Sequence, residues 1–76
     1  MISKYNRYYL TLTMLVDGVE KVFKHPYMTC PEGEQLKKIM KYIKWVYGRD
    51  KEGNPAKNFE WVSVDVEDRI DEIEED

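Results

Sequence analysis

Residues 7–16 alternate apolar and polar side chains with the period of two that is typical of a β-strand. The members of one face are Tyr8, Leu10, Leu12, Met14 and Val16. Asp17-Gly18 follows at once, and this dipeptide favours a two-residue hairpin turn because both central residues of a type I′ turn need positive φ. Such a turn fixes the register of a second strand. The expected pairs are Val16–Val19, Met14–Lys21, Leu12–Phe23 and Leu10–His25.

Residues 31–47 have the periodicity of an amphipathic helix. Pro26 has no N–H for a strand ladder and is predicted to end the second strand or to lie at its edge, while Thr29 and Glu32 have the spacing of a capping box. Gly48 is predicted to end the helix. At ~100° per residue, one stripe is apolar and is expected to face the sheet. It consists of Leu36, Ile39, Met40, Ile43, Val46 and Tyr47. The opposite side carries Lys37, Lys38, Lys41, Lys44 and Trp45.

Turn-forming and charged residues fill positions 48–58, which are predicted as a surface loop. A third strand is predicted at 59–66. One of its faces should carry Val62, Val64 and Val66, and the other Phe59, Trp61, Ser63 and Asp65. The predicted fold class is therefore α+β: a small antiparallel three-stranded sheet with one helix packed on one face, in the order β-β-α-β. Residues 1–66 would form this single domain, and residues 67–76 an acidic C-terminal tail.

Charge is distributed very unevenly along the 76 residues. Residues 60–76 contain nine acidic residues and one arginine, a net charge of −8, whereas residues 1–59 have a net charge of +5. A block of like charge repels itself and favours either solvent or a basic surface. Val66, Ile70 and Ile73 have helical spacing, so the tail is interpreted either as a short amphipathic helix, which could fold back over the lysines, or as an end that orders on a partner.

The size of the chain makes a supporting interface plausible. A chain of 76 residues buries only about 60% of the surface that its unfolded form exposes, and the single Cys30 excludes an internal disulfide. A homodimer and a monomer are both open. No apolar run approaches the ~20 residues of a membrane-spanning helix, and no secretory signal pattern occurs. One unpaired cysteine suits a reducing compartment, so we expect a cytoplasmic protein without a membrane partner.

Catalytic chemistry has little support in the sequence. His25 and Cys30 are the only candidate base and nucleophile, and no orienting acid or glycine-rich oxyanion loop accompanies them. One histidine and one cysteine cannot fill a tetrahedral metal site. No phosphate loop or dinucleotide fingerprint occurs. We therefore expect a protein that is not an enzyme, with no catalytic residue, no metal and no cofactor.

The acids and the tryptophans suggest a binding role. Closely spaced carboxylates reproduce the field of backbone phosphates, and aromatic side chains act as interface anchors. The element order and the surplus of acid are similar to those of small phage-encoded inhibitors that imitate DNA, such as inhibitors of uracil-DNA glycosylase. The leading hypothesis is a phage or mobile-element inhibitor that occupies the basic surface of a host nucleic-acid-handling protein. The predicted contact residues are Trp45, Trp61, Asp65, Glu67, Asp68, Asp71, Glu72, Glu74 and Glu75.

Two other readings stay open. The first is a nucleic-acid-binding accessory protein in which a basic and aromatic surface stacks and holds a single strand, with the acidic tail as an internal competitor. Its residues would be Arg7, Tyr9, Lys24, Lys37, Lys41 and Lys44, together with Trp45. The second is a structural homo-oligomer whose charges keep it soluble. Trp45 among the lysines is either covered by the C-terminal segment of its own chain or contacts another molecule.

Overall fold

The structure is a computed structural model that describes residues 2–74, with only the backbone described for Ile73. Its elements are β1 (Ile2–Val16), β2 (Val19–Tyr27), α1 (Gly33–Tyr47) and β3 (Phe59–Glu74). The three strands form one antiparallel sheet in the order β2-β1-β3, with β1 in the centre. This architecture confirms the predicted α+β fold class and the order β-β-α-β. No helix among the described residues is long and apolar enough to cross a membrane.

The β1–β2 hairpin has the predicted turn and the predicted register. Asp17 and Gly18 both have positive φ, 49° and 81°, as the two-residue turn requires. The four expected strand pairs all form. Asp17 also fastens the start of β3, because its N–H donates to the Asn58 carbonyl at 2.8 Å and its Oδ1 accepts from the Asn58 N–H at 2.9 Å.

The core lies between α1 and one face of the sheet, which we call the helix side. Its buried members are Leu10, Leu12, Met14 and Val16 of β1 and Ile43 of α1. Partly buried side chains complete it, namely Phe23, Tyr27, Leu36, Ile39, Met40, Ala56, Phe59 and Trp61. The other face of the sheet, the open face, carries the alternate residues of each strand and has no helix over it in the described chain. The apolar alternation of β1 therefore points at the helix, as predicted.

The helix begins two residues later than predicted. Gly33 has φ 56°, a left-handed conformation that a right-handed helix cannot contain in its interior, so the helical turns start only there. The N-cap residue is Glu32, which is extended and makes no side-chain capping bond in the described chain; the expected Thr29–Glu32 capping box is wrong. Gly48 ends the helix as predicted, and its N–H donates to the Lys44 carbonyl at 2.8 Å.

A β-bulge in β3 changes the predicted assignment of its faces. Thr13 pairs with Ser63 but the next residue, Met14, pairs with Trp61, so Val62 is an extra residue in the ladder. Because side chains alternate, one extra residue exchanges the two faces beyond it. Phe59 and Trp61 consequently lie on the helix side together with Val64 and Val66. The predicted separation of Phe59 and Trp61 from these valines is wrong, and Val62 is exposed.

Both long strands extend beyond their predicted bounds. β1 begins at Ile2 instead of residue 7, and β3 continues to Glu74 instead of ending at residue 66. The segment 67–74, predicted as a tail or a short helix, is strand and pairs with Ile2–Tyr9 of β1. The spacing of Val66 and Ile70 misled the prediction because i, i+4 fits one face of a strand as well as one face of a helix.

The outer part of the β1–β3 pair is a two-stranded extension, which we call the ribbon: Ile2–Arg7 with Arg69–Glu74. β2 stops at Tyr27, opposite Tyr8, so in the described chain these β1 residues pair only with β3. The core residues of β1 all lie at Leu10 or beyond, so the helix covers the other end. The ribbon gives the molecule its elongated shape, with extents of 51 × 25 × 16 Å.

Candidate functional site

The acidic residues of β3 are displayed on both faces of an edge strand. We call Asp65–Glu74 the acidic segment. Strand pairing places Asp68, Glu72 and Glu74 on the helix side, and Asp65, Glu67 and Asp71 on the open face. Residues two apart on one strand face are separated by ~6.8 Å. The outer edge of β3 has no strand partner among residues 2–74. The segment therefore presents rows of carboxylates at fixed positions.

Asp71 differs from its neighbours because it is held inside the open face. Its side chain is only 25% exposed. The Tyr9 hydroxyl donates to Asp71 Oδ2 at 2.8 Å, and Arg7 Nε lies 3.7 Å from the same oxygen, which is an ion pair but too long for a hydrogen bond. Asp71 thus joins the two strands of the ribbon, and it is less available to a partner than the other predicted contact acids.

The remaining acids of the segment are exposed. Glu72 lies 3.9 Å from Lys4 Nζ, and Glu67 lies 3.8 Å from Arg69 Nε. Exposed ion pairs of this length contribute only about 0–1 kcal/mol, so a basic partner could displace either cation readily. Glu75, which was also predicted to make contacts, lies outside the described residues.

The two tryptophans occupy different environments. Trp61 is half-buried on the helix side and packs edge to face on Phe59, with ring centroids 4.9 Å apart. Trp45 is 65% exposed on the outer side of α1, which confirms its predicted place opposite the core stripe. The acidic segment does not cover it, because that segment belongs to β3. Trp45 and the acids were predicted to contact one partner, whereas the structure places them on separate elements, the helix and β3.

Arg49 positions Trp45 and was not identified from the sequence. Its guanidinium lies 4.8 Å from the Trp45 ring centroid, Nε donates to the Trp45 carbonyl at 2.7 Å, and Nη1 donates to the Gly53 carbonyl at 2.7 Å. The spacing of four residues between Trp45 and Arg49 is a signal that could have predicted this contact, since such residues lie on one helix face.

A shallow groove of about 610 Å³ adjoins Trp45, between the outer side of α1, the loop after it and the start of β3. We call it the basic groove. Its charged lining consists of Lys38, Lys41, Lys44 and Arg49, and its apolar lining includes Tyr42, Trp45 and Phe59. No acidic residue of the described chain lines it. Lys44 Nζ lies 5.1 Å from the Phe59 ring centroid. The groove therefore combines positive charge with exposed aromatic surface.

The residues of the nucleic-acid reading divide between the two sides of the sheet. Arg7, Tyr9 and Lys24 lie on the open face. The other three, Lys37, Lys41 and Lys44, lie on α1 over the helix side, where Lys37 Nζ is 3.5 Å from Glu34. The Tyr9 ring has Lys24 Nζ at 5.7 Å and the Arg69 guanidinium at 4.9 Å, and these cations occupy the surface that a stacking base would need.

His25 and Cys30, the two candidate catalytic residues, lie outside the acidic segment and do not line the basic groove. The His25 ring stacks on Phe23 with centroids 6.1 Å apart, and its Nδ1 lies 2.7 Å from the Pro26 carbonyl. Cys30 is half-buried. Burial raises the pKa of Tyr27 above its ordinary value. Among residues 2–74, no group of three or more histidine, cysteine, aspartate or glutamate side chains could hold a metal ion.

Comparison with known proteins adds no relative to these observations. No family model, no curated protein and no solved structure matches the chain. The candidate site consequently rests on the geometry of its own residues: an acidic edge strand on the ribbon and a basic groove on the helix.

Proposed function

We propose that the protein is a non-catalytic binding module whose acidic segment occupies the basic surface of a nucleic-acid-handling protein and so inhibits it by imitating DNA. The observation that carries this proposal is the set of exposed carboxylates on an edge strand whose outer edge pairs with no other strand of residues 2–74. They are Asp65, Glu67, Asp68, Glu72 and Glu74. A concrete form is a small accessory protein of a phage or mobile element that acts in the cytoplasm, where the lone Cys30 stays reduced.

Strand structure suits this role better than a flexible tail. A disordered acidic tail loses conformational entropy when it orders on a partner, which weakens binding. The acidic segment is already held in β3 by its pairing with β1 and by the Tyr9–Asp71 hydrogen bond. Alternation along the strand also places carboxylates on two faces, so one segment can meet basic groups on both walls of a cleft.

The contact surface differs from the one that the sequence suggested. Trp61 stabilises the helix-side core through Phe59, and Asp71 stabilises the ribbon. We therefore propose contact through the five exposed carboxylates, without Trp61 or Asp71. The nucleic-acid reading is less favoured because its basic residues lie on opposite sides of the sheet, so no single strand could reach all of them at once.

Affinity capture with a matched pair of variants tests the proposal. The first variant replaces the five carboxylates by amides of the same shape: Asp65→Asn, Glu67→Gln, Asp68→Asn, Glu72→Gln and Glu74→Gln. The control makes a similar charge change on the body of the protein: Glu20→Gln, Glu32→Gln, Glu34→Gln and Glu52→Gln. Each protein is immobilised, exposed to lysate of the source cells and analysed by quantitative mass spectrometry.

The proposal predicts a small set of basic proteins that wild type and the body variant retain and that the five-amide variant loses. Nucleic-acid-handling proteins should dominate this set. Equal retention by all three baits would show that the acidic segment is not the binding element. Retention of nucleic acid alone, lost when Lys41 and Lys44 are changed, would favour the nucleic-acid reading instead.

A further inference from the structure

The basic groove leaves a large aromatic surface exposed on a small protein. Trp45 and Tyr42 are 65% and 63% exposed, and both lie on the outer side of α1. Arg49 fixes one side of the Trp45 ring and is itself tied to backbone carbonyls. Contiguous apolar patches are uncommon on monomeric proteins, and a patch that polar residues surround is typical of an interaction site. The groove therefore has the composition of an interface centre: rigid aromatic anchors with a basic rim.

The helix side of the ribbon has the complementary composition. Its exposed apolar residues include Ile2 and Ile70, which are 62% and 70% exposed, and the half-exposed Val64 and Val66 continue the strip toward the body. Strand pairing places the carboxylates of Asp68, Glu72 and Glu74 on this same face. An apolar strip edged by acids matches an aromatic groove edged by lysines.

The placement of the two surfaces permits both contacts at once. They face the same side of the sheet, and they lie toward opposite ends of a molecule 51 Å long. The helix covers only one end of the sheet, so the molecule is one layer thinner at the ribbon than at the helix. A two-fold axis that sets two copies face to face and antiparallel brings each groove onto the ribbon of the other copy. Such an isologous arrangement closes as a dimer and does not grow into a filament.

We propose that two copies of this chain form a two-fold dimer in which the ribbon of each lies on the basic groove of the other. The dimer covers the exposed tryptophan and the apolar strip of the ribbon together. It goes beyond the proposed function and does not depend on it. The dimer contact uses Asp68, Glu72 and Glu74, so only Asp65 and Glu67 on the open face stay accessible in it, and contact of a basic partner with all five carboxylates requires the dimer to dissociate.

Paired charge reversals test the dimer. The groove variant carries Lys41→Glu and Lys44→Glu, and the ribbon variant carries Glu72→Lys and Glu74→Lys. Each variant alone sets like charges against each other in both contacts. A mixture of the two restores opposite charges in both contacts. The control variant carries Lys51→Glu and Lys57→Glu in the loop. Sedimentation velocity measures the mass against the 9.2 kDa of one chain, and far-UV CD checks that each variant is folded.

Wild type and the loop variant should sediment at twice the mass of one chain. Each reversed variant should sediment as a monomer because its dimer dissociation constant rises by more than about tenfold, and the equimolar mixture should regain the double mass. Wild type that stays monomeric at high concentration overturns the proposal. So does a mixture that fails to associate although both variants are folded. Monomeric wild type that binds a labelled oligothymidylate, and loses it in the groove variant, would assign the groove to nucleic acid instead.

Discussion

The Tyr9 hydroxyl donates a hydrogen bond to Asp71 Oδ2 at 2.8 Å and so connects β1 with β3 across 62 positions of sequence. The bond lies at the root of the ribbon, just beyond the last residue of β2 that pairs with β1. Asp71 also lies 3.7 Å from Arg7 Nε, a buried nitrogen without a hydrogen-bond partner in the described chain. The Asp71 carboxylate therefore interacts with two side chains of β1, and these interactions stabilise the pairing of the two strands of the ribbon.

Removal of the Tyr9 hydroxyl should loosen the ribbon without unfolding the protein. Tyr9→Phe leaves the half-buried Asp71 carboxylate without its hydrogen bond, and we expect a loss of about 1–2 kcal/mol in the free energy of unfolding. Urea denaturation measures this loss, and amide hydrogen exchange should show faster opening at Ile2–Arg7. Tyr42→Phe on the exposed side of α1 is the control and should be neutral. Equal stability of the two variants would contradict the role given to the bond.

The two tryptophans should respond differently to truncation. Trp45→Ala removes an exposed side chain and one contact with Arg49, so the free energy of unfolding should fall by no more than about 1 kcal/mol. Trp61→Ala removes a half-buried ring from the core and ends its edge-to-face contact with Phe59. The free energy of unfolding should fall by about 2–4 kcal/mol. Both truncations are made in a charge-reversed variant that is monomeric, so that thermal and urea unfolding measure the stability of the fold without any contribution from dimer formation. A larger loss for Trp45 than for Trp61 would contradict the observed burial.

The bulge at Val62 should be dispensable for the core, whereas the residue between Phe59 and Trp61 should not be. Without Val62 the ladder of β3 with β1 is uninterrupted and the pairing of Trp61 with Met14 is unchanged, so both aromatic rings stay on the helix side. We expect this deletion variant to keep its near-UV CD signal and its cooperative unfolding. Deletion of the exposed Glu60 instead turns Phe59 to the open face and should weaken cooperative unfolding. A Val62 deletion that unfolds without cooperativity would show that the bulge itself holds Trp61 in the core.

Gly48 should tolerate no side chain. A Cβ built there would approach the Lys44 carbonyl oxygen and would lie 3.0 Å from the Phe59 ring. Gly48→Ala should therefore cost about 1–3 kcal/mol by forcing the loop and the ring apart. Lys57→Ala in the exposed part of the same loop provides the comparison and should have almost no effect. A neutral Gly48→Ala in urea denaturation would mean that this junction can relax.

Burial of Tyr27 should make stability fall at alkaline pH. Its pKa in the folded protein is raised above the ordinary 10.0 because burial disfavours the phenolate. The stability that this group contributes is complete below pH 10.0 and is lost as the pH rises through the folded pKa. Wild type should lose more free energy of unfolding between about pH 9 and 11 than Tyr27→Phe does. Identical losses would show that Tyr27 ionises equally well in both states.

Local rules were sufficient for the hairpin and for the helix. Asp17-Gly18 and the alternation of β1 together determine the pairing with β2, because turn length and hydrophobic face agree. Most of the predicted apolar stripe of α1 packs in the core, namely Leu36, Ile39, Met40 and Ile43. Its last two members, Val46 and Tyr47, are 38% and 40% exposed, so the prediction is wrong for the end of the helix. These features are short-range, so a single sequence contains the whole signal.

The wrong predictions concern the pairing of β1 with β3, which no local pattern in the sequence specifies. Residues 67–74 were predicted as a tail for two reasons. A high density of acidic residues is typical of a disordered end, and the spacing of Val66 and Ile70 is typical of a helix. Their strand structure depends on β1 some 60 positions earlier in sequence, with Lys4, Arg7 and Tyr9 opposite or beside the acids. The bulge is equally non-local, since it appears only in the register between Thr13 and Met14. The basic groove is also non-local, because Trp45 of α1 and Phe59 of β3 line it from two elements that a loop connects.

Competition with DNA tests the central claim most directly. The most abundant protein that wild type captures and the five-amide variant loses is purified, and its binding to wild type is measured by fluorescence anisotropy with increasing amounts of duplex DNA and of salt. If the acidic segment imitates DNA, duplex DNA should displace the protein completely and competitively, and the affinity should fall steeply with added salt, as it does for phosphate contacts. Undiminished binding at saturating DNA, with little dependence on salt, would contradict the account.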